Sequence, residues 1–221
     1  MPSSISLVFG FVVALTCFAS GCGGFKPSPE IKLFDGKSLD GWVSRGGKAT
    51  YKVEDNMIVG TTTEGSPNTF LCTTRDFADF ELQLELRCDP ALNSGIQFRS
   101  HVKPTGHVYG YQCETVTRDK CASGNVYDEG RLGKFFDDLK KRPGACEAFK
   151  DGQWNHYRVV AQKDRIRTWV NGVACADFKD SSDASGFIGL QVHSIKAGTG
   201  PYQVRWKNIR LRELAPDEIV K

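Results

Sequence analysis

The sequence predicts a single all-β domain, a sandwich or barrel. Three observations predict it. Short segments of alternating apolar and polar residues recur along the chain. Clusters of Gly, Asn, Asp and Pro separate them at regular spacing, and no long helical periodicity interrupts them. A length of 221 residues suits one β domain rather than two small ones.

Segment 80–87, Phe80-Glu81-Leu82-Gln83-Leu84-Glu85-Leu86-Arg87, alternates strictly. That is the pattern of a strand with one face in a core and the other towards solvent. Segment 95–99 repeats it, and 157–161, 165–170 and 173–178 are further strands. Asn171-Gly172 joins the last two as a two-residue hairpin, because both turn positions need positive φ. Segments 187–192 and 202–211 complete the set. Residues 117–154 break the rhythm, being rich in charge, Gly and Pro, and a long irregular insertion in a compact domain is usually functional. Within it, 135–141 has the composition of one short helical turn.

The N-terminus points to export. Residues 7–18 are nearly all apolar, and Ala19-Ser20-Gly21-Cys22 follows at once. A run this short falls below the ~20 residues of a membrane span but suits the apolar centre of a signal peptide. Small residues ahead of a cysteine suit lipoprotein processing, so 1–21 is expected to be a lipoprotein signal peptide and Cys22 the lipidated residue. Met1-Pro2-Ser3-Ser4 lacks the basic residue that such signals favour, which keeps an ordinary secretory signal cut near Gly21 as the alternative. Gly23 is not the Asp that often retains lipoproteins at the inner membrane. The expected location is therefore the periplasmic face of the outer membrane or the cell surface. Residues 22–30, with two prolines, read as a tether, 31–214 as the domain and 215–221 as a tail. The net charge of +3 and the scatter of Lys and Arg argue against nucleic acid as partner. Membrane contact is expected only through the lipid.

Beyond Cys17 and Cys22, six cysteines remain and none forms a CxxC pair. An oxidising compartment permits disulfides. Cys121 and Cys146 flank the loop-rich insertion and are the preferred pair; Cys72, Cys88, Cys113 and Cys175 read equally well as small buried apolar residues.

Strand alternation assigns polar pairs to faces. Gln97 with Arg99, Gln112 with Glu114, and Gln191 with His193 each share a face of their strand, with apolar neighbours opposite. Amide, guanidinium, carboxylate and imidazole groups together match a hydroxyl-rich ligand. A solvated outer sheet face is the plain alternative, although Lys, Glu and Thr would be more usual there than repeated Gln. Asn93-Ser94-Gly95 precedes one of these strands, where it could be only a turn entering the strand or could place Asn93 at the rim of the same face. Asp128, Glu129 and Arg131 sit in the insertion, where they could bind a cation, position a substrate, supply a base or simply face solvent. His101, His107 and His156 read as structural or surface residues, and the four tryptophans as packing, with Trp169 beside Arg165 and Arg167 a possible exception.

An ordered set of motifs then resembles a known family. Lys32-Leu33-Phe34-Asp35-Gly36-Lys37-Ser38-Leu39-Asp40-Gly41-Trp42 is similar to its opening motif and Asn93-Ser94-Gly95-Ile96-Gln97-Phe98-Arg99 to its central one. Gly110-Tyr111-Gln112-Cys113-Glu114, Trp154-Asn155-His156-Tyr157-Arg158, Trp169-Val170-Asn171-Gly172, Gly189-Leu190-Gln191-Val192-His193 and Trp206-Lys207-Asn208-Ile209-Arg210 follow in order. The family is that of the 3-keto-disaccharide hydrolases, or 3-keto-glucoside 1,2-lyases and hydratases. The resemblance implies a concanavalin A-like jelly-roll β-sandwich and a 3-keto glycoside as substrate. The cysteines and the long insertion depart from the family pattern.

The implied chemistry needs a base for the acidic C2 proton of a 3-keto sugar, an electrophile near the C3 oxygen and a proton donor for the C1 substituent. Elimination would be followed by optional rehydration. His193 is the expected base, with Glu114 its competitor. Asp128 and Glu129 are candidates for the acid or for cation ligands. Asn93, Gln97, Arg99, Gln112, Arg131 and Gln191 are expected to bind substrate. The resemblance makes a divalent cation a candidate Lewis acid, with Glu114, Asp128 and His193 its candidate ligands. Such sandwiches also serve as binding modules, so a non-catalytic sugar-binding lipoprotein is the alternative. A titratable base beside a carboxylate pair favours the enzyme, because binding needs neither.

Overall fold

The computed structural model describes residues 28–215 and 217–220. The expected signal peptide, Cys17 and Cys22 lie outside the described residues. The strands in chain order are β1 (Glu30–Lys32), β2 (Trp42–Gly46), β3 (Thr50–Glu54), β4 (Met57–Thr61), β5 (Thr69–Phe77), β6 (Phe80–Cys88) and β7 (Ser94–Val102). They continue as β8 (Val108–Thr115), β9 (Val126–Glu129), β10 (Asn155–Gln162), β11 (Arg165–Val170), β12 (Val173–Lys179), β13 (Gly186–Val192) and β14 (Gln203–Glu213). Two antiparallel sheets result. One runs β12-β11-β10-β6-β14-β4-β3, with β1 added beside β14; the other runs β2-β5-β13-β7-β8-β9. This is the expected single-domain β-sandwich.

The alternation read from the sequence becomes the core. Phe80, Leu82, Leu84 and Leu86 of β6 are buried and face Ile96, Phe98, Tyr111, Cys113 and Leu190 of the six-stranded sheet in one cluster. Burial of this apolar surface is the main stabilising contribution. Tyr51 ties the two layers together, its single hydroxyl proton shared between the carbonyls of Thr69 (2.9 Å) and Leu190 (2.8 Å). The hairpin between β11 and β12 turns at Asn171 (φ 50°) and Gly172 (φ 81°), as the positive-φ requirement predicts.

The insertion is more ordered than its composition suggests. It contains β9, which extends the six-stranded sheet beyond β8 and was not anticipated. The expected turn at 135–141 forms only as a 3-10 turn, Leu139–Lys141, with the Asp138 carboxylate accepting from Lys140 N at 3.1 Å. The rest is pinned by buried side chains. Asn125 Nδ2 donates to the Asp137 carbonyl (2.8 Å), and Arg142 pairs with Asp137. Cys121 and Cys146 form the expected disulfide, while Cys72, Cys88, Cys113 and Cys175 are free and buried.

A disulfide spanning 25 residues removes loop-closure entropy from the unfolded chain worth about 3 kcal/mol. Cys146→Ser is therefore expected to lower the urea midpoint by that equivalent under non-reducing conditions. An unchanged midpoint would show that side-chain contacts alone hold the insertion.

Candidate active site

Register places the polar row. Gln97 of β7 pairs with Gln112 of β8, Gln112 with Tyr127 of β9, and Gly95 with Glu114. On the neighbouring strand Gly189 stands opposite Gln97, and Gln191 opposite Gly95. Side chains at these positions project from the face of the sheet opposite the core. They form a hydrogen-bonded chain: Ser100 Oγ donates to Gln97 Oε1 (2.7 Å), Gln97 Nε2 to Gln112 Oε1 (2.8 Å), and Gln112 Nε2 to Glu114 Oε2 (3.1 Å). Asn93 Nδ2 donates to the other carboxylate oxygen at 2.5 Å. Glycine makes room for this chain. A Cβ on Gly95 would stand 2.5 Å from Gln112 Cδ, so only Gly lets that amide lie flat.

The chain ends in a cleft of about 510 Å³. It is lined by Gln112 and Glu114 of β8, Tyr127 and Glu129 of β9, and Asn68, Asn93, Lys120, Phe135 and His193 from the surrounding segments. Glu114 is 5% exposed, and burial pushes its carboxyl from the ordinary 4.5 up to about 7. The Asn93 and Gln112 amides and the Lys120 cation oppose that rise, while the Glu129 charge adds to it. Burial also raises Glu129, against the pull of the Asn68 amide and His193. Asn68 links the two sides, its Nδ2 donating to Glu129 Oε1 (3.4 Å) and its Oδ1 accepting from Ser194 N (2.9 Å). His193 Nδ1 lies 2.7 Å from the Ser194 carbonyl. Donation there fixes the ring and leaves Nε2 for the cleft.

A model of the 3-keto-alpha-glucoside-1,2-lyase-like domain matches residues 29–212. The chain belongs to this family. Its fold recurs in carbohydrate-related proteins of low identity. A Parabacteroides distasonis protein proposed to be a glycosyl hydrolase superposes with a TM-score of 0.60 at 18% identity, over 84% of this chain and 94% of the other. The carbohydrate-binding module CBM66 from Bacillus subtilis gives 0.56 at 16% identity, over 78% and 96%. Bacillus licheniformis β-glucanase gives 0.58 at 12% identity, over 86% and 99%. No curated protein matches in sequence. The jelly-roll sandwich is thus shared with a glucanase and a binding module, and membership of the lyase-like family gives the domain a carbohydrate-active role.

Within this lyase-like domain the structure redistributes the expected site residues. Asn93, Gln112, Glu114, Glu129 and His193 line the cleft. Gln97 and Gln191 share its sheet face but are fully buried; Gln97 supports Gln112, and both polar atoms of the Gln191 amide lack a partner among the described residues.

Three residues leave the group. Arg99 does not share the face of Gln97, because the β7–β8 register shifts between Phe98 and His101 and Arg99 adopts φ 45°. A bulge of this kind re-aims a side chain. Its guanidinium is fully buried and donates to the carbonyls of Ala78 (2.7 Å), Lys163 (2.7 Å) and Asp183 (3.4 Å) and to Asp79 Oδ1 (2.8 Å). Asp128 also turns away, because neighbouring β9 residues point to opposite faces. It accepts from Arg131 Nε (2.7 Å) and Leu132 N (3.1 Å). Arg131 is held between Asp128 and Asp183 (2.5 Å) and so clamps the insertion instead of meeting substrate.

The expected metal set of Glu114, Asp128 and His193 does not converge, and among the described residues no group of three His, Cys, Asp or Glu side chains could hold a cation. Trp154 and Trp169 lie beneath Lys207 (4.2 Å) and Arg158 (4.3 Å) and do not line the cleft. Six lining residues were missed: Asn68, Val116, Lys120, Ala122, Tyr127 and Phe135. Tyr127 and Glu129 do alternate in the sequence, and that was the available signal for an edge strand.

Arg99→Ala is expected to cost about 3 kcal/mol in urea unfolding, since it leaves three carbonyls without their donor and Asp79 with only the Lys163 backbone N–H. Sugar affinity of the folded fraction should not change. A large loss of affinity at unchanged stability would return Arg99 to the binding site.

Proposed function

We propose that the protein cleaves 3-keto glycosides at C1 by elimination, with Glu114 as the base. The observation that carries this reading is a buried carboxyl, lifted to about 7 and held by two amide donors, on the floor of a cleft that also contains an imidazole. A base poised near neutrality is what abstraction of a carbon-bound proton requires. A module that only bound sugar would gain nothing from burying such a carboxyl.

In this mechanism the sugar ring lies against Tyr127 and Phe135, whose rings are 5.2 Å apart, with C2 above Glu114. Glu114 takes the C2 proton, and the electron pair delocalises onto the C3 oxygen as an enediolate. Lys120 supplies positive charge for that oxygen. The enediolate collapses to restore the C3 ketone, forms the C1–C2 double bond and breaks the bond from C1 to its substituent. His193, entering the step as an imidazolium with Nδ1–H held by the Ser194 carbonyl, delivers its Nε2 proton to the departing oxygen and is left neutral. Glu114 thus takes the role first expected of His193, because it is the buried and amide-anchored group of the pair. Water added across the C1–C2 bond gives net hydrolysis. Export and lipid anchoring through Cys22 remain part of the proposal, and they would give the enzyme access to periplasmic glycosides.

Glu114→Gln is expected to lower kcat/KM on a 3-keto glucoside by about 10²- to 10⁴-fold and to abolish an acid limb near pH 7. Tight binding without release of the C1 substituent by the parent protein would instead support a sugar-binding module. The same variant should be more stable than its parent at high pH. Below pH 4.5 the carboxyl is protonated whether the chain is folded or not. Between 4.5 and about 7 the folded chain retains a proton that the unfolded chain has lost, so parental stability falls as pH rises through this window. Thermal unfolding should show Glu114→Gln equal to the parent at pH 4 and more stable by up to about 3 kcal/mol at pH 8. Equal stability at both pH values would contradict the raised carboxyl.

A further inference from the structure

The cleft adjoins a second cavity on the side of His193. It measures about 370 Å³ and shares Asn93, Val116, Lys120 and His193 with the cleft. Two segments bring cations to it. The 3-10 turn Arg118–Lys120 carries Lys120, and the connection from β13 to β14 carries Lys196. Lys196 opens a turn closed on its own carbonyl, which accepts from Thr199 N (3.2 Å) and Thr199 Oγ1 (2.6 Å). Both lysines are exposed, and neither ammonium has a hydrogen-bond or ion-pair partner among the described residues. None of the described residues lining this cavity is an Asp or Glu. Two carboxylates close by are engaged elsewhere. Asp89 pairs with Arg205 (3.5 Å), and Glu64 accepts from Gly198 N (2.9 Å).

A cavity of about 630 Å³ on the other side of the cleft has the opposite character. It meets the cleft at Asn68 and Glu129 and so contains a carboxylate. Its lysine, Lys103, is committed to the Gly130 carbonyl.

We infer that the cavity between Lys120 and Lys196 receives the substituent leaving C1, and that it favours 3-keto glycosides whose substituent carries an anionic group. The inference rests on the elimination reading, in which His193 protonates the oxygen leaving C1. Of these two adjoining cavities only the smaller contains His193, so the group beyond that oxygen passes into it. There it meets two unneutralised ammonium groups and the imidazolium, with no carboxylate in the lining to repel it. A neutral substituent gains nothing from those charges. In a solvated cavity each ammonium is worth up to about fivefold in affinity for an anion, and salt removes the effect.

The test compares 2-carboxyethyl and 2-carbamoylethyl 3-keto glucosides, which match in size and differ in charge. Affinities are measured calorimetrically with Glu114→Gln, at low salt and at about 0.5 M salt, and kcat/KM with the active protein. The carboxylate is expected to bind about fivefold more tightly at low salt and about equally at high salt. Lys196→Gln should cut the preference to about twofold and leave turnover of the carbamoyl glycoside unchanged, while Lys196→Arg should retain it.

Equal affinity of the two glycosides at low salt would overturn the anionic assignment. A preference that survived intact in Lys196→Gln would overturn the placement in this cavity. A preference lost in Lys196→Gln, without turnover of either glycoside by the active protein, would uphold the cavity and contradict the elimination reading instead. Turnover of both glycosides with equal affinity would do the reverse.

Discussion

The cleft depends on one arrangement, a chain of amides buried on the outer face of a sheet and ending at a carboxylate. Ser100, Gln97, Gln112 and Glu114 pass hydrogen bonds in one direction across β7 and β8. Burying polar groups in this way is costly unless each finds a partner. Here each amide of the chain both accepts and donates. Direction matters too, because every donor points towards Glu114. The carboxylate is thereby held in place, yet burial still keeps it far from its ordinary acidity. A residue on an ordinary solvated sheet face would show neither feature.

That arrangement determines what the neighbouring residues can do. Gly95 and Gly189 leave the space in which the amides lie. β9 adds Tyr127 and Glu129 beside Gln112, and the disulfide-pinned insertion holds β9 against the sheet. Arg99 and Arg131 serve the same end from elsewhere. One closes the bulge at the end of β7, and the other fastens the loop after β9 through Asp128 and Asp183. Two arginines that resemble substrate ligands in the sequence are therefore fasteners for the strands that present the site.

The sequence made the fold legible because its signals were local. Alternation in 80–87 and 165–170 and the Asn171-Gly172 turn each depend on neighbouring residues only, and each appears in the structure as read. The faces of Gln97, Gln112 and Glu114 were legible for the same reason, and their placement on one side of the sheet needed only correct strand order. Arg99 was misplaced because a bulge breaks the period of two, and bulges leave little trace in a single sequence. Asp128 and Glu129 look equivalent as adjacent acids, but a strand sends neighbours to opposite faces, and β9 was not recognised as a strand. Asn68 was not legible at all. It reaches Glu129 across 61 positions of sequence, from the residue just before β5 to the last of β9, two strands that are not neighbours in the sheet, and no local pattern encodes that approach.

The central claim concerns a single proton, and a carboxyl-carbon NMR titration measures it most directly. With glutamate side chains labelled and the Glu114 resonance assigned by its loss in Glu114→Gln, the midpoint should fall at about 7. A midpoint near the ordinary 4.5 would contradict the account, because Glu114 would then be one more surface carboxylate and the cleft would have no base on its floor.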